Sequence, residues 1–443
     1  MEGSAPQGPR EGGAAPAGTW RLWLLPVVLG LGVLVRLPLM GLDSGVYDAS
    51  YFRALMRAGS SDLTNVYAAV SPDYPPLTAL TFALTGAVTR WCCDAGLGAN
   101  DMATVVAAKV PEVVAGGTLA VLIAWAARRA AAERAARGWL RSPGPPALAA
   151  AAYFLNPAVV YVSAYWTQAE ALWVFPVVLG LVALERRRFA LAWLAFAAGA
   201  LTKPQAAAFV PLLLVQTVRA GPKSAWLAGP AAALALALVS ATPWLLSGHG
   251  SEVAQVYLGL SGADPWVSGS AYNLWYLWLL GNTHQVPADT PLVGSLTYQQ
   301  MGWLLFLALL GWVVWQASQR RGPSLYLSAA TLWLGFAVLL TQTHERYFHP
   351  VLPLLLLAPE LYAAASRLAL VWLGVALAYS YNLVTVLPFA GWPGPSLIAA
   401  PVVGPRLVVL KAVSLVAAAT FLVCLATLAA RLRGWGTTWA SAP

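Results

Sequence analysis

The stretch LWLLPVVLGLGVLVRLPLMGL, residues 22–42, decides the fold class of this chain. Arg36 is its single ionisable residue. A run of about 20 apolar residues is long enough to cross the hydrocarbon core of a bilayer as an α-helix. The run also exceeds a signal-peptide core, so we expect a retained membrane helix. The preceding residues 1–19 are rich in Gly, Ala and Pro and are predicted to form a disordered cytoplasmic tail.

Similar apolar runs recur along the whole chain. Of its 443 residues, 59% are hydrophobic and 10% are charged, whereas a soluble domain has about 25% charged residues. We therefore predict one all-α, polytopic transmembrane bundle of about 12 spans over residues 20–443. The candidate spans cover residues 22–42, 102–127, 146–163, 170–184, 189–202, 204–218, 225–246, 302–318, 324–341, 350–365, 368–388 and 407–430.

The positive charges orient these spans. Arginine and lysine clusters are expected on the cytoplasmic side of a membrane protein. They occur at Arg128, Arg129, Arg134, Arg137 and Arg141, at Arg186, Arg187 and Arg188, at Arg219 and Lys223, at Arg320 and Arg321, and at Arg431 and Arg433. Placing all of them inside puts both termini in the cytoplasm of a bacterial cell. The net charge of +9 is thus explained by topology. The sequence lacks a basic stretch interleaved with aromatic residues, which is the pattern typical of single-strand binding. We therefore expect no nucleic-acid partner.

The loops on the other side are longer and hold acids, histidines and prolines. The first runs from Gly41 to about Asp101, the second from Ser247 to about Tyr298 around Ser261, and the third is the short turn around His344. Residues 77–90 are apolar, but if they crossed, the arginine-rich loop after Trp125 would lie outside. We expect them to form a juxtamembrane or re-entrant helix on the outer face.

The first outer loop carries several carboxylates. Asp43, Asp48, Asp62 and Asp73 follow the first span. A carboxylate at the membrane surface can act as a general base on a hydroxyl group, or it can be a solvated loop acid. For Asp73 the functional interpretation gains weight, because it precedes Tyr74 and two prolines that fix the backbone.

Three further segments carry polar groups beside apolar runs. Gln168 and Glu170 lie at an outer helix junction, where the acid binds a substrate or caps a helix. Lys203 interrupts a hydrophobic stretch, either to reach the interface or to bind a lipid-linked phosphate. Asn273 is a polar residue among interfacial aromatic residues.

The segment THERYFHP places His344, Glu345, Arg346 and His349 between two apolar runs. Arginine binds phosphate in a bidentate manner, and histidine can donate a hydrogen bond to it. Two histidines and a glutamate at this spacing form no recognised zinc motif, so no metal ligand is assigned.

Together these motifs resemble the C-type (GT-C) glycosyltransferase superfamily. The resemblance is strongest to the dolichyl-phosphate-glucose-dependent glucosyltransferases of asparagine-linked glycan assembly and their bacterial relatives. It rests, in order, on an acid after the first span, DYPPLTA at 73–79, NPAVVYVSAYWTQAEAL from 156, KPQ at 203–205, AYNLW at 271–275 and THERY at 343–347. It departs from the family at Leu55, where a tryptophan is common, and at Arg346, where the family has lysine.

The resemblance implies inverting transfer of glucose or another hexose from a polyprenyl-phosphate carrier to a lipid-linked or other extracytoplasmic acceptor. A first-loop acid, Asp48 in preference to Asp43, would be the base. Lys203, His344 and Arg346 would bind the donor phosphate. The sugar or acceptor would contact Asp73, Tyr74, Gln168, Glu170, Asn273 and Glu345. No cofactor is implied, and the question of a divalent metal stays open.

Two other functions fit a polytopic chain. A secondary transporter or a flippase for lipid-linked saccharides would have internal repeats and polar groups near the bilayer midplane, whereas here the polar groups gather on one side. A membrane scaffold would need neither the acids nor the cations. Lys109 and Glu112, three residues apart, are expected to pair on one helix face.

Overall fold

The structure is a computed structural model that describes residues 20–93, 97–98, 101–136, 146–258, 265–320, 322–363, 366–387 and 405–438. Some sequence predictions lie outside these ranges, namely those on the tail 1–19, on Ser261 and on the side chains of Arg134, Arg137, Arg141 and Arg321.

Helices account for most of the described chain. They are α1 (Trp20–Met40), α2 (Tyr47–Ser61), α3 (Val66–Ala69), α4 (Pro76–Cys93), α5 (Met102–Ala107), α6 (Val110–Ala136), α7 (Pro146–Phe154), α8 (Pro157–Tyr161), α9 (Glu170–Glu185), α10 (Phe189–Thr202), α11 (Val210–Ala220), α12 (Ala225–Leu246), α13 (Gly250–Leu258), α14 (Leu274–Trp278), α15 (Tyr298–Ala317), α16 (Leu325–Leu339), α17 (Val351–Leu357), α18 (Leu368–Val386) and α19 (Pro405–Thr438). Two short strands, β1 (Pro291–Val293) and β2 (Leu296–Thr297), pair in antiparallel fashion before α15.

The general prediction of a helical, multi-pass membrane protein is confirmed. Among the described residues, six helices are long and apolar enough to cross a membrane, or seven if the bent pair α7 and α8 is one span. The other predicted spans fall on the shorter helices α9, α10, α11, α16 and α17. A helix of 16 residues such as α9 is about 24 Å long, less than the ~30 Å hydrocarbon core. The total of twelve spans therefore stays a prediction.

A bend of 50° separates α7 from the segment that follows it. Asn156 ends α7 and caps α8, because its side-chain oxygen accepts the amide of Ala158 at 3.0 Å. Pro157 occupies the first turn, where its missing N–H costs nothing. The helix then widens into a π-turn, Val162–Trp166, and Thr167 adopts a left-handed conformation with φ of 66°.

The segment that is predicted to be the first outer loop folds as a satellite unit of α2, α3 and α4. Its apolar side chains form a cluster distinct from the main core. Phe52 of α2 stacks on Phe82 of α4 with ring centroids 4.3 Å apart. The two helices approach closely at Gly86, where an added Cβ would lie 2.3 Å from the carbonyl oxygen of Met56. Helix α4, which includes residues 77–90, is not among the candidate spans, and its juxtamembrane position remains a prediction.

Three buried helices connect two chemically different ends of the bundle. At one end, Glu185 closes α9 and pairs with Arg129 at 3.4 Å, and the guanidinium of Arg186 lies 4.5 Å from the ring of Trp125. At the other end, α9 begins at Glu170 and α10 ends next to Lys203. The segment after α16 returns to this second end. Arg129 and Arg186 are thus separated from Glu170 and Lys203 by the lengths of α9 and α10.

Candidate functional site

Asp48 lies in the first turn of α2 and points into the bundle. Its carboxylate accepts hydrogen bonds from Gln168 Nε2 at 2.6 Å and from the Tyr74 hydroxyl at 3.0 Å. Arg346 Nη2 lies 3.7 Å from the same carboxylate. Burial alone would raise the pKa of Asp48, but the charge of Arg346 and the two hydrogen bonds outweigh it and hold this pKa below its usual range. Asp48 is therefore a carboxylate at neutral pH.

Arg346 connects three acids from separate parts of the fold. Besides Asp48, it contacts Glu345 Oε1 at 3.2 Å and Glu170 Oε1 at 3.8 Å. The ammonium of Lys203 pairs with the same oxygen of Glu170. Glu170 is fully buried, and its other oxygen accepts the indole N–H of Trp173 at 2.9 Å. The cluster therefore combines two cations with three carboxyl groups.

The turn that carries Arg346 is held by Asn273. The side-chain amide of Asn273 donates to the carbonyl of Leu340 at 3.2 Å and to the Thr343 hydroxyl at 2.9 Å. Its oxygen accepts the amide of Tyr276 at 3.0 Å and caps α14. All of these partners are protein groups, so we interpret Asn273 as a residue that positions the turn.

Unusual backbone conformations precede both polar segments that face the Asp48 cluster, the one that begins at Gln168 and the one that begins at His344. The π-turn and the left-handed Thr167 come immediately before Gln168. Gln342, with φ of 59°, comes two residues before His344. A left-handed non-glycine residue costs about 1–2 kcal/mol, and such conformations, like π-turns, concentrate at functional sites.

Asp43 and Asp73 lie near Asp48 but are exposed and have other partners. Both oxygens of Asp43 bind the Arg53 guanidinium, at 2.9 and 3.0 Å. This contact outweighs the effect of partial burial and lowers the pKa of Asp43. Asp73 accepts hydrogen bonds from Tyr47 and from Ser71. Asp43 is thus already neutralised by a bidentate cation, which makes Asp48 the better candidate base.

The two histidines of the THERYFHP segment separate in the structure. Burial, reinforced by the neighbouring Arg346, lowers the pKa of His344 to about 3. His344 is thus neutral at pH 7 and offers a hydrogen bond rather than a positive charge. His349 is fully buried, and its Nε2 lies 3.0 Å from the Tyr153 hydroxyl in the main core.

The expected pair between Lys109 and Glu112 is wrong, because each residue binds a different helix end. Lys109 Nζ donates to three backbone carbonyls at the end of α1, those of Leu39, Met40 and Leu42. Glu112 accepts the amides of Ala171 and Leu172 in the first turn of α9, at 2.6 and 2.9 Å. Each charge complements the helix dipole that it meets.

Two residues that the sequence analysis left without a role also contribute to the cluster. Gln205 Nε2 donates to the Tyr347 hydroxyl at 3.0 Å, and Lys203 Nζ lies 5.3 Å from the centre of the Tyr347 ring. Gln205 lies in the KPQ segment and Tyr347 in the THERY segment of the family resemblance, and this resemblance is the sequence signal that could have identified them. Within the described ranges, Gln168 Oε1, Gln205 Oε1 and Arg346 Nε are buried without a hydrogen-bond partner. Unsatisfied buried polar atoms are rare in proteins, so these three groups are available to a polar ligand.

No group of three or more His, Cys, Asp or Glu residues in the described part of the chain could hold a metal ion. In comparisons with known proteins, no family model and no curated protein matched this sequence.

Proposed function

We propose that this chain is a GT-C-type glycosyltransferase with about twelve membrane crossings. In this proposal it transfers a hexose, such as glucose, from a polyprenyl-phosphate carrier to a lipid-linked or other extracytoplasmic acceptor. The observation that carries the proposal is the convergence of Asp48 and Arg346, 3.7 Å apart. The first was predicted to be the base and the second to bind phosphate, and they come from distant parts of the sequence.

The reaction needs few protein groups. A hydroxyl oxygen of the acceptor attacks the anomeric carbon while the bond from that carbon to the phosphate oxygen breaks. Asp48 takes the hydroxyl proton, and the polyprenyl phosphate leaves with the bonding electrons. Attack opposite the leaving group inverts the anomeric configuration and requires no covalent intermediate. Arg346 and Lys203 stabilise the charge that develops on the phosphate.

The ion pairs of the cluster constrain how the donor binds. Its phosphodiester is an anion, and both cations already face carboxylates. Glu170 is fully buried and bound by Lys203 and Trp173. Asp48 is partly exposed and meets Arg346 only at 3.7 Å. The phosphate therefore takes the place of Asp48 beside Arg346, and this exchange frees the carboxylate to face the acceptor hydroxyl.

The unpartnered groups suit a sugar ligand. Gln168 Oε1 and Gln205 Oε1 are acceptors, and sugar hydroxyls are donors. Tyr347, the hydrogen-bond partner of Gln205, adds an aromatic ring beside the cations. This set supplies the polar contacts that orient a hexose for in-line attack.

The proposal is tested with the purified chain in nanodiscs, radiolabelled polyprenyl-phosphate hexoses and a lipid acceptor extract. Asp48→Asn keeps the shape of the side chain but removes the base, so turnover should fall by about 10²–10⁴-fold. Donor binding should be retained or strengthened, since Arg346 loses a competing anion.

The matched control is Asp62→Asn, in the same loop. The Asp62 side chain accepts from Thr64 in a turn outside the cluster, and asparagine can do the same. Near-normal turnover of Asp48→Asn, or a product that retains the anomeric configuration of the donor, would reject the mechanism.

A further inference from the structure

A polar cavity lies at the end of the bundle opposite Asp48. It is open to the surface and has a volume of about 450 Å³, where α9, α11 and α15 end and α16 begins. Its charged lining consists of Arg187, Arg219, Arg320 and Glu185. We call it the arginine cavity.

The positive charge of the arginine cavity is only partly neutralised. Glu185 is shared with Arg129, at 3.4 Å, and with the Tyr326 hydroxyl, at 3.1 Å. Arg219 donates to the carbonyl of Ala317 at 3.5 Å, as expected for an arginine at a helix C-terminus.

Arg187 and Arg320 differ from Arg219. Both side chains are exposed, and no hydrogen bond or ion pair joins either guanidinium to a residue that the structure describes. With Arg219, these two arginines give the lining of the arginine cavity an excess of positive charge over its single acid, Glu185, and such an excess attracts anions.

The backbone at Arg187 adds an independent argument. Arg187 follows the end of α9 with φ of 56°, and its amide donates to Leu184 while that of Arg188 donates to Ala183. This is a Schellman turn, and its left-handed position normally holds glycine. An arginine there is conformationally unfavourable, and the favourable interaction of its charge with the C-terminus of α9 offsets this cost only in part.

We propose that the arginine cavity binds a phosphate group. Arginine binds phosphate in bidentate fashion, and basic pockets between membrane helices bind phospholipid headgroups. The phosphate is either that of an acidic phospholipid or a free phosphate ion from solution. Helix α10, which begins two residues after Arg187 and ends beside Lys203, is about 21 Å long, so the arginine cavity and the Asp48 cluster lie at opposite ends of it. The site therefore does not depend on glycosyl transfer.

The test compares wild type, Arg187→Gly and Arg187→Gln/Arg320→Gln in nanodiscs. Retention of phosphatidylglycerol is measured by native mass spectrometry, and binding of inorganic phosphate is measured separately in phosphatidylcholine discs. Retention of the lipid alone identifies a headgroup, and binding of inorganic phosphate identifies a free ion. The double variant should bind its ligand about tenfold more weakly or worse.

Arg187→Gly separates binding from folding. Glycine relieves the left-handed backbone, so the melting temperature in phosphatidylcholine should be unchanged or higher, whereas phosphate binding should fall. Arg431→Gln/Arg433→Gln removes the same charge outside the cavity lining and should bind like wild type. Equal loss in this control, or no phosphate binding by wild type in either form, would overturn the proposal.

Discussion

At the residue scale, the buried pair of Lys203 and Glu170 makes the sharpest stability prediction. Glu170 has no exposed surface, and Lys203 is its closest cation. Lys203→Met leaves a buried carboxylate without this partner, which should cost about 3–5 kcal/mol. Thermal unfolding in nanodiscs should show a clear drop in the midpoint. Adding Glu170→Gln removes the uncompensated charge and should restore most of the loss, and an unchanged midpoint in Lys203→Met would contradict the pairing.

Arg346 makes a prediction about donor affinity. Arg346→Gln removes a charge-assisted contact worth about 1.5–3 kcal/mol, so the apparent donor constant should rise about tenfold or more. Arg90→Gln is the control, because Arg90 lies on the satellite away from the Asp48 cluster, and among the described residues its guanidinium hydrogen-bonds only to the Ser61 hydroxyl. Binding titrations with a polyprenyl-phosphate hexose measure both. Equal constants in the two variants would remove Arg346 from the phosphate site.

His344 predicts how stability depends on pH. Burial beside Arg346 lowers its pKa to about 3, whereas the unfolded chain has the ordinary value of about 6.5. Between these values the unfolded state binds the additional proton, so the contribution of His344 to stability is complete above pH 6.5 and is lost as the pH falls.

Between pH 6.5 and 5 this loss amounts to about 2 kcal/mol. In a plot of melting temperature against pH, His344→Gln should therefore lose less stability below pH 6.5 than wild type does. His249→Gln, which changes a histidine of the loop after α12, should show the same pH dependence as wild type. If the two variants respond to pH alike, His344 is not held neutral.

The sequence predicted much of the cluster but not its pairing. Asp48, Lys203 and Arg346 were predicted from their positions in outer segments, and the structure brings them together. Sequence preferred Asp48 to Asp43 only through the family resemblance, because the physical difference depends on which acid Arg53 binds. It also paired Lys109 with Glu112, since spacing within one helix says nothing about neighbouring helix ends.

At the element scale, the contact between α2 and α4 positions the candidate base. An added Cβ at Gly86 would lie 2.3 Å from the Met56 carbonyl oxygen, whereas Gly30 in α1 has nothing within 4 Å. Gly86→Ala should separate the two helices and displace Asp48 at the start of α2. We expect lower turnover and a stability loss of about 1–3 kcal/mol. Gly30→Ala should leave both turnover and melting temperature near wild type, and equal effects would exclude the contact at Gly86 as the cause.

Element lengths also show the limit of the sequence prediction. The long helix α12 (Ala225–Leu246) coincides with a predicted span. The prediction treated α9 and α16 as equivalent to it, because hydropathy records composition and not surroundings. In the structure both helices are short and almost wholly buried among other helices. Polar residues lie at their ends. Their apolar composition reflects protein packing as much as contact with lipid.

At the scale of the whole molecule, the two ends of the bundle differ in chemistry. One end gathers Arg129, Arg186, Arg187, Arg219 and Arg320, and the other gathers the acids and Arg346 with Lys203. The positive-inside rule assigns the arginine end to the cytoplasm. We therefore predict that the Asp48 cluster lies outside, where a lipid-linked donor and acceptor would meet it.

Three native cysteines allow this orientation to be tested together with the position of α4. Cys92 and Cys93 are exposed at the end of α4, whereas Cys424 is buried in α19. If α4 lies along the outer surface, an impermeant maleimide should label Cys92 and Cys93 in intact cells. If α4 crossed the membrane instead, its 18 residues would carry both thiols about 27 Å to the inner side.

Two single cysteines, each introduced separately into a Cys92→Ser/Cys93→Ser background, test the same orientation. Ala69→Cys, exposed on the satellite beside α4, should be labelled in intact cells. Gln319→Cys, exposed in the lining of the arginine cavity, should be labelled only after permeabilisation. Labelling of Ala69→Cys without labelling of the native thiols would mean that α4 crosses, which would also carry the arginines after Trp125 outside. Labelling of Gln319→Cys in intact cells would mean that the protein has the opposite orientation in the membrane. The donor site would then face the cytoplasm and not the outside.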